Sequence, residues 1–337
     1  MPTYVTLPEI EAAAARVEGT AVRTPLVALP PRAGRPAIYL KCESAQPIGS
    51  FKLRGAFNMV AQLPPEQLSR GVITYSSGNH AQGVAYAARA LKTKAVIVMP
   101  DNAPQVKIDA TRALGAEVVF VGPASSARKL KAEELAAEHG YAIIPPYDHP
   151  HIIAGQATCG LEIAQQQPAV DLVLSPVSGG GLLSGTATAV KLAAAAGLCN
   201  PAVKVWGAEP ALAADAKESF ETRTLVEWPA ALTSRTIGDG LRTQSLGALN
   251  FEHILRYVDG IVAVSEDEIF AAMRVLLTET DLVPEPSGAV TLAAALFHAH
   301  ELPPAQTIVV ILSGGNIEPA LLDALREPAA ATAQPTV

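Results

Sequence analysis

"DLVLSPVSGGGLLSG", residues 171–185, runs from an apolar stretch through a serine and three glycines into a second apolar stretch. The first seven residues read as a strand buried on both faces, and the glycines as the turn into a helix. In open α/β sheets, ligands bind at the carboxyl ends of strands, where the first turn of the next helix presents unpaired N–H groups. Consecutive glycines let those groups converge, and the helix dipole adds positive potential. The run Ser178-Gly179-Gly180-Gly181-Leu182 therefore reads as an anion site. No Gly-Lys-Ser/Thr follows, and no Gly-x-Gly-x-x-Gly stands before an acidic ribose ligand, which disfavours nucleoside triphosphates and dinucleotides. A small phosphate fits better, and the plain alternative is a close-packed strand-to-helix turn.

The same alternation extends in both directions. Apolar, β-branched runs lie at 37–43, 71–77, 94–100, 116–122, 171–177, 203–210, 260–266 and 307–316, with alanine-rich helical patterns between them. This predicts an α/β protein with parallel sheets covered by helices on both faces. Pro104 reads as a first-turn proline and Ser287 as a helix N-cap. The proline-rich "IIPPYDHPHII" (143–153) interrupts the alternation and reads as a crossing between domains. The tail "REPAAATAQPTV" reads as disordered.

The 337 residues suffice for two domains, and the net charge of −7 gives no basic field for nucleic acid. Cys42, Cys159 and Cys199 are odd in number, far apart and without metal-ligand spacing, as expected of buried thiols in a reducing compartment. The N-terminus lacks a basic region followed by an apolar core, and no apolar run approaches the ~20 residues of a membrane span. A soluble cytoplasmic protein, binding neither nucleic acid nor membrane, is the expectation.

Two more glycine-bearing strand ends carry polar groups. "SSGNHAQG" (76–83) places hydroxyls, an amide and an imidazole at one helix N-terminus, suited to a carboxylate and a ring oxygen. "ILSGGNIEP" (311–319) ends the last strand. His80 shares a turn with Ser77 and Asn79, unlike the other histidines, although a core histidine is the ordinary reading. In "PIGSFKLRGAF" (47–57), Lys52 sits between a Gly-Ser turn, an aromatic ring and an Arg-Gly step, a setting that a surface lysine does not need. Arg54 and Gly55 read simply as the continuing helix start. A reactive lysine with a phosphate cradle points to pyridoxal phosphate, held as a Schiff base.

"GSFKLRGA", "SSGNHAQG", "SGGGLLSG", "EPSGA" (285–289) and "LSGGN" (312–316) occur in that order. Together they resemble the fold-type II pyridoxal-phosphate enzymes, in the threonine dehydratase and serine racemase branch, from about Thr24 to the last strand. The resemblance implies two open, mostly parallel sheets with helices on both faces and the cofactor in the cleft between domains. It divides the chain into a large domain (1–70 and 149–325), a small domain (71–148) and a tail (326–337). Lys52 would carry the cofactor and act as the base, with Phe51 packing beside it and Asn79 bonding the ring 3′-oxygen. Ser178, Gly179, Gly180, Gly181 and Leu182 would hold the phosphate, Ser178 standing where relatives often have a glycine. Ser313 would face the pyridine nitrogen and Glu285 would lie near the ring, or else merely complement a helix dipole.

Ser76, Ser77, Asn79, His80, Arg128 and Thr243 would contact substrate. Ser77 would be a second acid/base opposite Lys52, or else a plain carboxylate ligand; serine racemases and 3-hydroxyaspartate dehydratases resemble "SSGNH" where many threonine dehydratases resemble "SAGNH". The implied activity is β-elimination from a β-hydroxy amino acid such as threonine or serine, yielding a 2-oxo acid and ammonia. Alternatives are serine racemisation, or dehydration of 3-hydroxyaspartate or 3-phenylserine. "AEPALAAD" (208–215) resembles a divalent-cation site, with Glu209, the Ala213 carbonyl and Asp215 offering oxygen to Mg²⁺, Ca²⁺ or Mn²⁺; the plain reading is a solvated acidic loop. Relatives are usually homodimers. Cysteine-synthase-like enzymes, which resemble "SGNTG", and a non-catalytic phosphate-ligand binder are the rivals.

Overall fold

Each apolar run read as a strand forms one, and together they make two separate sheets. The computed structural model describes residues 4–76, 78–103, 105–122 and 125–327. The strands are β1 (Leu26–Ala28), β2 (Ala37–Cys42), β3 (Val72–Tyr75), β4 (Ala95–Pro100) and β5 (Glu117–Val121). They continue with β6 (Ala142–Ile143), β7 (Leu172–Pro176), β8 (Lys204–Pro210), β9 (Gly260–Val264) and β10 (Thr307–Leu312). The larger sheet has the order β1-β2-β10-β7-β8-β9 and the smaller β5-β4-β3-β6. Every pair is parallel except β1 with β2.

Burial on both faces explains the unbroken apolar runs. Along β10, Ile308, Val310 and Leu312 meet a core shared with helices Glu266–Glu279 and Pro286–Phe297. Val309 and Ile311 point into the opposite core, with helices Pro150–Gln166 and Gly181–Ala195. The small sheet is likewise sandwiched. Val72, Ile97 and Met99 pack on helices Lys52–Val60 and Asn79–Ala90, while Ile73, Val96 and Val98 face helix Ser125–His139.

One helix boundary departs from the sequence reading. Glu285, not Ser287, is the N-cap of helix Pro286–Phe297. Pro286 fixes the first helical φ and has no N–H to satisfy, so it sets the start one residue behind the cap. Ser287, inside the first turn, instead accepts a hydrogen bond from Gly240 N at 2.9 Å. Pro104 and residues 328–337 of the expected tail lie outside the described residues, and Arg326 closes helix Pro319–Arg326.

Arg54 does more than continue a helix. Its side chain is fully buried and bonds Glu43 through Nε and Nη2, both at 2.8 Å, and Glu162 through Nη1 at 2.7 Å and Nη2 at 2.9 Å. Lys41 adds Glu162 at 2.5 Å, Gln166 at 2.8 Å and the Thr24 carbonyl at 2.8 Å. Two cations and two anions thereby tie the Lys52 helix to the Pro150–Gln166 helix and to the end of β2. Close backbone approach tightens the joint: a Cβ on Gly155 would lie 2.6 Å from Gly55 Cα.

Candidate active site

Lys52 opens its helix directly after a turn stitched to the end of β10. Phe51 N donates to Ser313 O at 3.1 Å, Ser50 pairs with Gly314, and Gly315 N donates to Gly49 O at 3.0 Å. The Lys52 amine donates to the Pro146 carbonyl at 3.0 Å and lies 5.1 Å from the Phe51 ring centroid. Lost hydration pulls this amine down to about 8, against the attraction of Glu285, which acts upward. About a tenth of it is therefore unprotonated at pH 7, and half at about 8.

The glycine loop meets the lysine through the next residue along. A Cβ on Gly179 would fall 2.5 Å from the Tyr147 ring, so the tyrosine covers this glycine as Pro146 covers the amine. Gly180 has a left-handed φ of 91° and no room for a side chain: a Cβ there would lie 2.9 Å from Asn250 Cβ and from Leu246 Cδ2. Asn250 Nδ2 and Gly247 N both donate to the Gly179 carbonyl, at 2.9 and 3.1 Å. Asp148 in turn accepts from the backbone N–H groups of Ala248 and Leu249, capping the helix that carries Asn250. One short segment thus places Pro146 on the lysine, Tyr147 on the glycines and Asp148 on the helix behind them. Burial pushes the Tyr147 phenol up to about 12, so it stays protonated.

Ser178 adopts a φ of 57°, the left-handed region that glycine tolerates best. Its hydroxyl donates to Gly240 O at 3.0 Å and pairs with Thr243 Oγ1 at 3.3 Å, so Thr243 adjoins the glycine loop. Leu182 is buried in the core below.

On the opposite side, Asn79 is the first residue of its helix, behind Gly78. Its Nδ2 donates to Glu285 Oε1 at 2.8 Å, and its Oδ1 accepts from Asn316 at 2.7 Å. Burial, then the Asp239 charge, lifts the Glu285 carboxyl to about 7, although the Asn79 bond and Lys107 act downward. Lys107, from the small-sheet side, forms an ion pair with Asp239. The Ser76 hydroxyl accepts from Gly78 N at 3.3 Å. His80 is buried and bonds the Ile144 carbonyl at 3.1 Å; burial and the nearby Lys52 charge hold it down to about 3, so it stays neutral. Ser313 is buried, with its hydroxyl 3.5 Å from the Ser287 carbonyl. Arg128 is half-buried, and its Nε has no hydrogen-bond partner among the described residues. Ser77 lies outside the described residues.

Residues 17–314 match the family model described as pyridoxal-phosphate dependent enzyme. The chain belongs to that family. Among curated relatives, it is 41% identical over 281 residues to L-threo-3-hydroxyaspartate ammonia-lyase of Saccharomyces cerevisiae, covering 83% of each chain. It is 41% identical over 290 residues to L-threonine ammonia-lyase of Thermotoga maritima, covering 85% of this chain and 69% of the relative. The solved serine racemase of Dictyostelium discoideum superposes with a TM-score of 0.85 at 36% identity, over 93% of this chain and 99% of that one.

The residues fit such a cofactor. Three glycines with no room for side chains, opening a helix of 15 residues, suit a phosphate, and an amine drawn down to about 8 can attack an aldehyde. Tyr147, Pro146, Asn250 and Asn316 were not singled out in the sequence. The signal for the first two was the proline-rich break itself. Asn250 carries none, because only the fold sets it beside Gly179.

The second acidic site is also built from buried groups. Glu209 is the last residue but one of β8 and accepts from Lys217 N at 2.7 Å; Ala213 closes a short 3₁₀ turn, and Asp215 starts the next helix. Asp215 Oδ2 is buried without a hydrogen-bond partner among the described residues. Burial, with the neighbouring Asp215 charge, raises Glu209 well above the carboxylate range, and burial lifts Asp215 to about 7. An orphaned carboxylate oxygen and a paired buried acid suit a hard cation.

Proposed function

We propose that this protein is a dehydratase that converts a β-hydroxy-L-amino acid, threonine or serine or a 3-substituted serine, to a 2-oxo acid and ammonia. The observation that supports it is the Pro146–Tyr147 step, in which Pro146 meets an amine drawn down to about 8 and Tyr147 covers a glycine loop with no room for side chains. Pyridoxal phosphate, when bound, supplies an electron sink for negative charge at the substrate Cα.

The protein's own groups then have defined tasks. Ser178 to Leu182 would hold the phosphate, with Phe51, Asn79, Glu285 and Ser313 around the ring. Ser313 is neutral, so it imposes no permanent proton on a facing ring nitrogen and leaves a weaker electron sink, which favours prompt departure of a β-substituent. The N-terminus of the Asn79 helix, with Ser76 and Ser77, would bind the substrate carboxylate. The Lys52 amine would take the Cα proton, and the β-hydroxyl leaves as water. That water is regained when the released enamine hydrolyses to oxo acid and ammonia.

The Arg128 Nε, without a partner among the described residues, favours a second reading, in which the β-substituent is a carboxylate and the substrate 3-hydroxyaspartate. The 3-hydroxyaspartate ammonia-lyase among the relatives supports this reading too. We also propose a divalent cation on Glu209, the Ala213 carbonyl and Asp215, away from the chemistry, and a cytoplasmic homodimer.

The test is a panel of L-threonine, L-serine, L-threo-3-hydroxyaspartate and L-threo-3-phenylserine with the pyridoxal-phosphate-loaded protein. Oxo acid and ammonia should form in equal amounts from at least one. Chiral analysis of the residual serine identifies a racemase instead. No visible absorption band and no oxo acid from any substrate would reject the reading. An Arg128→Gln variant should lose 3-hydroxyaspartate selectively if that residue reads the second carboxylate.

A further inference from the structure

Far from the cleft, the turn after helix Pro286–Phe297 gathers a second set of ligating groups. His298, His300 and Glu301 offer donor atoms that all lie within 4.8 Å of one another. The turn is closed by backbone bonds from Glu301 N to His298 O at 2.9 Å and from Leu302 N to the same carbonyl at 3.2 Å. His298 Nδ1 lies 2.6 Å from Glu301 Oε1, and His300 Nε2 lies 3.7 Å from it. The opposite nitrogen of His298 bonds the Glu268 carboxylate at 3.0 Å. Glu268 is itself fixed, accepting from Ser265 N at 2.7 Å in the capping box of helix Glu266–Glu279.

We propose that His298, His300 and Glu301 form a zinc site, with Glu268 orienting His298. Two imidazoles and one carboxylate with an open fourth position make a zinc-type donor set. A carboxylate on the far nitrogen of a ligating histidine fixes its tautomer and raises its basicity, and Glu268 stands in that place. The turn also follows the C-terminus of a helix, whose dipole end favours a cation. Nearby, the Lys217 amine lies 4.0 Å from Glu301 Oε2. Among the described residues it is the one lysine or arginine paired with the acids of this turn, and it can swing to Glu221 at 3.4 Å. The 12 residues of helix Pro286–Phe297, about 18 Å, separate this turn from Glu285, so the ion would clamp two helix ends and take no part in the reaction.

The test uses the tag-free holoenzyme with excess Mg²⁺ to occupy the Glu209–Asp215 site, titrated with ZnCl₂ against a chromophoric chelator. One equivalent of Zn²⁺ should bind and raise the melting temperature. His298→Ala should weaken binding by at least about 100-fold. Glu268→Gln, which keeps a capping-box residue, should weaken it by about 10–100-fold while the visible band is unchanged. No saturable equivalent, an equivalent that persists in His298→Ala, or an affinity indifferent to Glu268→Gln would each overturn the site.

Discussion

Lys41 and Lys52 are two lysines withdrawn from water on neighbouring elements, and they are treated in opposite ways. Lys41 is fully buried and has a carboxylate, an amide oxygen and a backbone carbonyl around its ammonium. Lys52 has one carbonyl, with Glu285 acting on it only through space. Full pairing holds a buried cation as a structural rivet, whereas incomplete pairing makes the proton easier to lose than from an ordinary lysine. The Arg54 cluster belongs with Lys41: it fixes the helix on which the under-paired lysine stands.

Removing Lys52 should have the largest effect on chemistry and the least on the fold. Lys52→Ala should lose the visible band of the loaded protein and drop oxo-acid formation by about 10⁴-fold or more, with melting little changed. A band that survives would break the contrast at its root. Arg54→Met should show the reverse pattern. It strands Glu43 and Glu162 without their guanidinium, and an uncompensated buried charge costs about 3–5 kcal/mol, to be read in a denaturant titration. A neutral result would mean that the cluster is dispensable for placing the helix.

The smallest effect lies in a pH profile. Only the neutral amine captures an aldehyde, and the amine is neutral above about 8, so the rate of pyridoxal-phosphate uptake by the apo protein should rise about tenfold per pH unit below that value and then level. Glu285, half-ionised at about 7, pulls the amine upward. Glu285→Gln should therefore move the levelling point to lower pH. An unmoved profile would uncouple the two groups and leave Lys52 governed by burial alone.

Much of this was legible before any coordinates. The eight apolar runs were long, β-branched and unbroken, because parallel strands buried on both sides leave no polar face, and their positions held to within a few residues. β1 and β6 escaped notice because two or three residues carry no period. The glycine run was visible as a strand-to-helix junction. What covers it was not: Tyr147 and Asn250 reach it from 32 residues before Gly179 and 70 residues after Gly180. Arg54 misled for a related reason. A charge two residues into a helix looks exposed, and only the tertiary meeting of Glu43 and Glu162 makes burial tolerable.

The position of β10 governs the order in which the molecule can be assembled during synthesis. The small sheet is drawn from one continuous stretch, residues 72–143, and can pair as soon as that stretch leaves the ribosome. The large sheet cannot. β10 lies between β2 and β7, so the first half of that sheet has no neighbour on its inner edge until Thr307–Leu312 is made. The Lys52 turn must wait as well, since its partners Ser313, Gly314 and Gly315 come directly afterwards. Elongation at about 5–20 residues per second makes that interval about 13–50 seconds, during which β2 presents an open apolar edge. A nascent chain released before residue 307 would keep its lysine and glycine loop and still have no site, and it would be a substrate for chaperones.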